Sequence, residues 1–311
     1  MADLAPLQEA LRTIGTDPSQ VLTPDAAHLV AYGEEVVSVN SVPGVVVLAG
    51  RERDGIHASV TVVEGAQVAQ PVHLCFGMFT PEGVQNVRLE LVMERGARAT
   101  FWSHCLFTQA ERARHAMNAA VDIRAGAELV YNEAHYHGPS GGIEVLPVAT
   151  VKVGRRARYL ADFSLVQGRV GKLAIDYDVA VEEDGLAELT SRIYGRGDDR
   201  IGIREVLNLN GARSRGLIKS RVAVSDDASA EVVGATFGNA AGARGHVDCL
   251  EIVRGRAKAS AMPEVRITHP EAKVTHEAAI GSVDERQLET LMARGLAPEQ
   301  AVDLIILGML R

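Results

Sequence analysis

The chain has 311 residues, 47% apolar and 23% charged, enough for a sizeable core and too little charge for a disordered, self-repelling chain. Its net charge of −8 argues against a polyanionic partner, so nucleic acid is set aside as a ligand. Aromatic residues are 4%, with Trp102 the single tryptophan, few for a protein that stacks sugars or bases on rings.

The first twenty residues carry Asp3, Glu9 and Arg12 and no continuous apolar stretch, so no signal peptide is expected. Leu4, Leu7, Leu11 and Ile14 recur at helical spacing, and Gly15 closes that segment. A second helix is expected from Thr23, with Pro24 as its first residue, to Gly33. The longest apolar runs, Val42 to Gly50 and Leu304 to Leu310, fall far short of the ~20 residues of a membrane span. Cys75, Cys105 and Cys249 form no CxxC pair and are odd in number, which fits a reducing, cytoplasmic setting.

From about Val36 the pattern changes to short β-branched runs separated by turns containing glycine. Gly65, Gly96, Gly126, Gly154, Gly185 and Gly211 follow one another at steps of 31, 30, 28, 31 and 26 residues. A repeat of this length, with two strand-like segments and no helix in each unit, points to a stacked parallel β-helix. Glycine at the corners would supply positive φ where the chain bends. An antiparallel sandwich is the alternative arrangement. After Gly281 the chain turns helical again. Ser282-Val-Asp-Glu285 has capping-box form, Gly295 ends one helix and Pro298 opens the next, with Ala301, Leu304, Ile305 and Met309 on its apolar side. The pair would close the end of the coil. The expected organisation is an all-β core at 36–281 between helical segments at 1–35 and 282–311.

The C-terminal part carries a distinctive string of motifs. It runs from the strand Met262-Pro-Glu-Val-Arg-Ile through Val274-Thr-His-Glu-Ala-Ala-Ile-Gly281 to the helix start Asp284-Glu-Arg-Gln-Leu288. Leu291-Met-Ala-Arg-Gly-Leu296 and Ala301-Val-Asp-Leu-Ile-Ile-Leu-Gly308 follow. This string resembles the C-terminal half of the SufB/SufD family, components of the Suf iron–sulfur cluster assembly system. The resemblance implies a right-handed parallel β-helix flanked by helices. It also implies a complex with the SufC ABC-type ATPase, a dimer of SufB/SufD-like chains, a transiently bound iron–sulfur cluster and acceptor proteins downstream. The 282–311 segment would dock the ATPase. The chain contains no GxxxxGK[ST] phosphate loop of its own, so it is expected to be a scaffold and not an enzyme. It departs from the family pattern at Glu289-Thr290, where an aromatic pair is usual, and near Ala257, where a scaffold cysteine would fall. Family members also carry a longer N-terminal helical region. A short, stand-alone prokaryotic form acting as a homodimer fits these departures.

The candidate ligands follow. Gly245-His-Val-Asp-Cys249 is the richest local cluster. Strand alternation puts His246 and Asp248 on one face and Cys249 with Val247 on the other, so all three would converge only through a bulge or a second chain. The alternative for Cys249 is a buried apolar thiol. His276 and Glu277 match the His-Glu pair that lies near the cluster-building site in SufB-type chains. The alternative is a strand-end histidine beside a solvated carboxylate. Because three thiols cannot build a four-thiolate site, any cluster is expected at a chain–chain interface with Cys249 as ligand and His276 or Glu277 completing the shell. Glu133, His135 and His137 share one strand face, where surface imidazoles are the plainer account and a metal site the other. His104 and Cys105 fall on opposite faces, and Cys75 reads as core. Two further functions remain open. One is a β-helix carbohydrate-active enzyme using Asp176, Asp178 or the carboxylates at 182–184; the other is a structural ATPase partner that holds no cluster.

Overall fold

The computed structural model describes residues 4–310, so residues 1–3 and 311, the outermost parts of the two expected helical segments, lie outside it. Two helices, α1 (Ala5–Thr13) and α2 (Pro18–Val21), precede the strands. The strands run in chain order β1 (His28–Tyr32), β2 (Glu35–Asn40), β3 (Val45–Glu52), β4 (Gly55–Val62), β5 (Val72–Gly77) and β6 (Glu82–Met93). They continue as β7 (Arg98–Phe107), β8 (Arg112–Ile123), β9 (Glu128–His137), β10 (Ile143–Val153), β11 (Arg158–Gln167) and β12 (Gly171–Val181). The last are β13 (Leu186–Gly195), β14 (Arg200–Leu209), β15 (Arg215–Val224), β16 (Ser229–Gly238), β17 (Arg244–Val253), β18 (Lys258–Ile267) and β19 (Lys273–Gly281). Helices α3 (Glu285–Ala293) and α4 (Pro298–Met309) follow.

From β5 onward each strand pairs in parallel with the strand two places away in sequence. Odd-numbered strands build most of a ten-stranded sheet and even-numbered strands most of a nine-stranded one. The chain therefore winds as a parallel β-solenoid of about eight turns, as the glycine period implied. The two sheets face each other across a bore filled by one continuous hydrophobic cluster, including Phe76, Leu91, Phe101, Ile123, Val153, Ile193, Leu207 and Val247. Stacked sheets of this kind bury alternate residues, and β8 and β10 show that period-two burial cleanly.

In-register stacking places each residue beside its equivalent in the next coil, and the charged residues use this. Arg124 reaches Glu94, Arg192 reaches Asp162, Arg204 reaches Asp176 and Arg256 reaches Asp227, all at 2.5–2.6 Å and all 28–30 positions apart in sequence. Exposed pairs of this kind contribute only about 0–1 kcal/mol each, but they penalise a slipped register that would set like charges together.

The corners differ from expectation in an informative way. Gly65, Gly96 and Gly126 have φ of 71°, 67° and 71°, as the turn requires. In later coils the positive-φ position moves to Arg156, Asp184 and Arg213, at 56°, 55° and 58°. Glycine remains there for another reason. A Cβ added to Gly211 would lie 1.9 Å from the backbone nitrogen of Glu183, so the coils could not close at this corner.

The segment expected as a helix from Thr23 to Gly33 is instead a turn at 24–26 followed by strand β1. β1 pairs in parallel with β5 and antiparallel with β2, and Gly33 (φ 52°) sits in the tight turn of that hairpin. Strand pairing against β5 overrides the local helix signal. At the C-terminal end the cap is Asp284, whose carboxylate accepts from the Gln287 backbone N–H at 2.8 Å, and not Ser282. Helix α4 does not close the coil end. Val302, Ile306 and Leu310 cover Tyr194, Ala223 and Ile252 on the outer face of the ten-stranded sheet. Helix α1 does the same near the other end, with Leu7 and Leu11 over Val30, Cys75 and Leu106. The final strands β18 and β19 are left largely exposed.

The two kinds of corner glycine predict different costs. Gly65→Ala adds a side chain in open space at positive φ and should cost about 1–2 kcal/mol. Gly211→Ala meets backbone and should cost more than about 2 kcal/mol. Chemical denaturation of the two variants compares them, and equal losses would contradict the close-packing role of Gly211.

Candidate functional site

The apolar rows of the bore are interrupted by polar side chains at two levels. The first lies where β7, β8 and β9 meet. Alternation points Cys105, Glu133, His135 and His137 inward from the ten-stranded sheet, and His115 inward from the opposite one; all five are buried. Thiol, carboxylate and imidazole atoms of Cys105, Glu133 and His135 lie within 4.8 Å of one another. His115 Nε2 is 3.9 Å from the Cys105 sulfur. His135 Nε2 is 2.8 Å from Glu133 Oε1, its Nδ1 is 3.4 Å from His137 Nε2, and His137 Nδ1 is 3.2 Å from the Arg169 carbonyl. Phe107 and Phe163 flank the rings. Desolvation pushes His115, His135 and His137 down to about 3 and Glu133 up to about 7, and raises the Cys105 thiol well above its usual range.

His135 and His137 are thus not surface imidazoles. They share their face with Glu133 as expected, but that face is the inside of the coil. The structure also separates His104 from Cys105. His104 points outward and stacks on His73 and Trp102, with ring centroids 5.6 and 6.1 Å away. Cys75 is buried beneath α1, where desolvation holds its thiol at about 12.

The second level runs toward the C-terminal end. Ser191 donates to Glu205 Oε1 at 2.6 Å, and Ser220 donates to Glu251 Oε1 at 3.4 Å. Among the described residues, the second oxygens of Glu205 and Glu251 have no hydrogen-bond partner, and desolvation raises both carboxyls to about 7. Cys249 belongs to this level. It is 1% exposed, faces the bore with Val247, and its thiol is raised by burial.

The other candidates near Cys249 divide between two rows. β17 and β19 pair without a bulge: His246 lies beside Thr275, Val247 beside His276, Asp248 beside Glu277 and Cys249 beside Ala278. His276 therefore shares the inner row with Cys249, one diagonal step away. Glu277 shares the outer row with Asp248 and His246. On that outer row Asp248 is held by Arg221 at 2.5 and 3.1 Å, which lowers its carboxyl, and His246 Nδ1 lies 2.8 Å from the Thr275 hydroxyl. Within one chain, His246 and Asp248 do not converge with Cys249. His276 and Glu277 are exposed because β19 is the terminal strand of its sheet.

Four of the five carboxylates considered for a carbohydrate-active site are engaged one coil away. Asp176 pairs with Arg204, Asp178 accepts from Asn208, and Glu183 and Asp184 pair with Arg213. They are rungs of the lateral ladder.

The family model described as SUF system FeS cluster assembly, SufBD core domain, matches residues 78–309. The chain belongs to the SufBD family. It is 34% identical over 309 residues to an iron-sulfur cluster assembly SufBD family protein of Methanocaldococcus jannaschii, covering 99% of this chain and 98% of that one. A SufBD family protein of Pyrococcus horikoshii is 34% identical over 284 residues, covering 91% of this chain and 86% of its own length. Similarity to the iron-sulfur cluster assembly protein SufB of Bacillus subtilis is local, 32% over 76 residues, covering 24% of this chain and 16% of that protein. Among the described residues of this SufBD chain, no helix is long and apolar enough to cross a membrane.

Sequence reasoning passed over His115, Glu205 and Glu251. A signal for them exists: each interrupts an alternating inward row, as in Ile201, Ile203, Glu205, Leu207, Leu209. A charge at an inward position of a buried strand is costly and marks a site.

The buried titrating groups oppose each other in pH. His73, His104, His115, His135 and His137 are held at about 3–4 by desolvation. They contribute stability above the unfolded value of about 6.5 that is lost as pH falls toward their folded values. Glu133, Glu205 and Glu251 work the other way. Their contribution is fully present below about 4.5 and lost as pH rises through about 7. Five imidazoles outweigh three carboxyls between those limits, so metal-free protein should be most stable between about pH 6 and 7 and weaken on both sides. Denaturant midpoints across pH 4.5–8.5 test this; stability rising steadily to pH 8.5 would contradict it.

Proposed function

We propose that this SufBD chain is an assembly scaffold on which an iron–sulfur cluster, its cargo, is built between two copies of the chain, with ATP hydrolysed by a separate SufC-like partner. The observation that carries this reading is the open C-terminal end of the solenoid. There β18 and β19 leave the edges of both sheets unpaired, with Met262, Ile267 and Ile280 exposed along them. Exposed strand edges are templates for pairing with another chain. A two-fold axis at this end would bring two copies of Cys249 and His276 toward each other along the inner rows, and two copies of Glu277 along the outer rows. The cluster would take Cys249 as thiolate and His276 or Glu277 to complete its ligands before passing to acceptor proteins in the cytoplasm. The open end gives Cys249 a route to solvent or to a partner, and a metal would drive its thiol to ionise.

The ATPase would dock on the α3–α4 pair. Helix α3 has no buried residue, and Met292 and Leu304 are exposed at 41% and 49%. Deleting the segment would uncover Tyr194, Ala223 and Ile252, so point substitutions make the cleaner test. Met292→Asp with Leu304→Asp leaves the buried stripe of α4 intact. It should abolish co-purification with a SufC-like ATPase while the far-ultraviolet circular dichroism stays unchanged. Undiminished co-purification would remove this surface from consideration.

Cys249→Ser tests the cluster. The variant should lose the iron–sulfur absorbance after anaerobic reconstitution and keep the dimer. Cys75→Ser should retain iron and sulfide. Wild-type reconstitution by Cys249→Ser would refute the ligand assignment. A wild-type chain that binds the ATPase but reconstitutes no cluster would instead fit the purely structural partner.

A further inference from the structure

We propose that the bore holds one divalent first-row transition ion, of the Zn2+ or Fe2+ class, ligated by Cys105, Glu133, His135 and His115. This site is separate from the open end and does not depend on the assembly reading.

The hydrogen-bond partners of the imidazoles fix where the protons are. The Arg169 carbonyl can only accept, so His137 must donate to it from Nδ1. Neutral His137 then presents a lone pair at Nε2, which fixes the hydrogen of His135 on Nδ1. Neutral His135 is left with a lone pair at Nε2, aimed at Glu133 Oε1 at 2.8 Å. An imidazole lone pair and a carboxylate oxygen repel at that distance unless a positive charge lies with them. A proton serves while Glu133 holds it as the acid or His135 holds it as an imidazolium; a metal ion serves when both are deprotonated.

The surroundings favour the ion. Cys105 brings a thiol within the same 4.8 Å set, and its neighbours at Ser103 and His115 are both at 3.9 Å, long for any hydrogen bond. His115 comes from the opposite sheet, is 1% exposed and, among the described residues, has no partner on Nδ1. Its Nε2 lies 3.9 Å from the sulfur, so a fourth donor from a third strand stands beside the three-donor set. One thiolate, two imidazoles and one carboxylate match the donor preferences of zinc and ferrous iron and not those of calcium or magnesium. The carbonyl–His137–His135 relay is the outer-shell arrangement that orients a metal-bound imidazole. A cavity of about 30 Å³, lined in part by Glu133, Tyr131, Tyr159 and Glu205, adjoins the carboxylate and has room for a water-sized species. On binding, Cys105 and Glu133 each lose a proton to solvent, so the ion and its four ligands carry no net charge.

Because the site is enclosed, loading during folding is the relevant route. The full chain is produced in cells grown in defined medium, purified, and analysed for bound metals by mass spectrometry, which separates zinc from iron. A parallel culture supplemented with Co2+ gives a spectroscopic reporter. The wild-type chain should carry about one ion, and the cobalt form should show thiolate-to-metal charge transfer with tetrahedral d–d bands. Cys105→Ser should lose the charge-transfer band. Glu133→Gln supplies an N–H to the His135 lone pair, so it should stay folded while losing the ion. His137→Phe should weaken retention against a chelator about 10–100-fold. Cys75→Ser and Cys249→Ser should keep both ion and band. A wild-type chain without stoichiometric metal in either culture, or a folded Glu133→Gln chain that retains it, would overturn the proposal.

Discussion

The organising constraint in this protein is the parallel, in-register hydrogen bonding of each coil to the next. It costs the chain a closed corner about every thirty residues and returns a backbone with almost no unpaired strands except at the ends. Every side chain then sits above its counterpart. On the outside this produces rungs of opposite charge such as Arg213 against Glu183 and Asp184. On the inside it produces rows in which a polar residue has no escape to solvent. The corner glycines answer to the same constraint, some through positive φ and others, such as Gly211, through the closeness of the neighbouring coil.

Much of this was legible in the sequence because the repeat is written in local features. Glycine spacing gave the coil period, and strand alternation gave the division of His246 and Asp248 from Val247 and Cys249. Alternation also placed Glu133, His135 and His137 on one face. It could not say which face was the inside, and the neighbouring Tyr136 offered no guide, since α1 and α2 pack beside it on the outer face. Nor could it bring Cys105 and His115 together, because contact across the bore is set by the lateral register of two sheets. The helix expected at Thr23–Gly33 failed for a related reason. A segment of ambiguous local preference was decided by a strand edge some forty residues further on.

The two helical ends obey a rule that the sequence alone does not state. Both lie on the outer face of the ten-stranded sheet, where Cys75 and Leu106 at one level and Tyr194, Ala223 and Ile252 at another break the polar outer rows. An outward apolar residue needs a cover, and the helices supply it. The consequence is that the C-terminal coil end stays open. The apolar stripe of α4 is spent on the side of the solenoid, and the exposed residues Met292 and Leu304 face away from it.

This arrangement gives two buried thiols opposite surroundings. Cys105 and Cys249 both point into the bore from the same sheet, and both are raised by burial. Coils close over Cys105 on both sides, and imidazoles and a carboxylate of fixed orientation enclose it. Cys249 has a single strand, β19, between itself and the unpaired edge, with Ala278 as its lateral neighbour and His276 one step away. Ligand type alone would rank Cys105 as the better metal site. Exchange ranks them the other way, because a group enclosed by hydrogen-bonded coils releases what it binds only when coils separate, whereas a group at a sheet edge is freed by parting one interface. A position for a permanent ion and a position for a transient cargo therefore differ less in their donors than in their distance from the end of the solenoid.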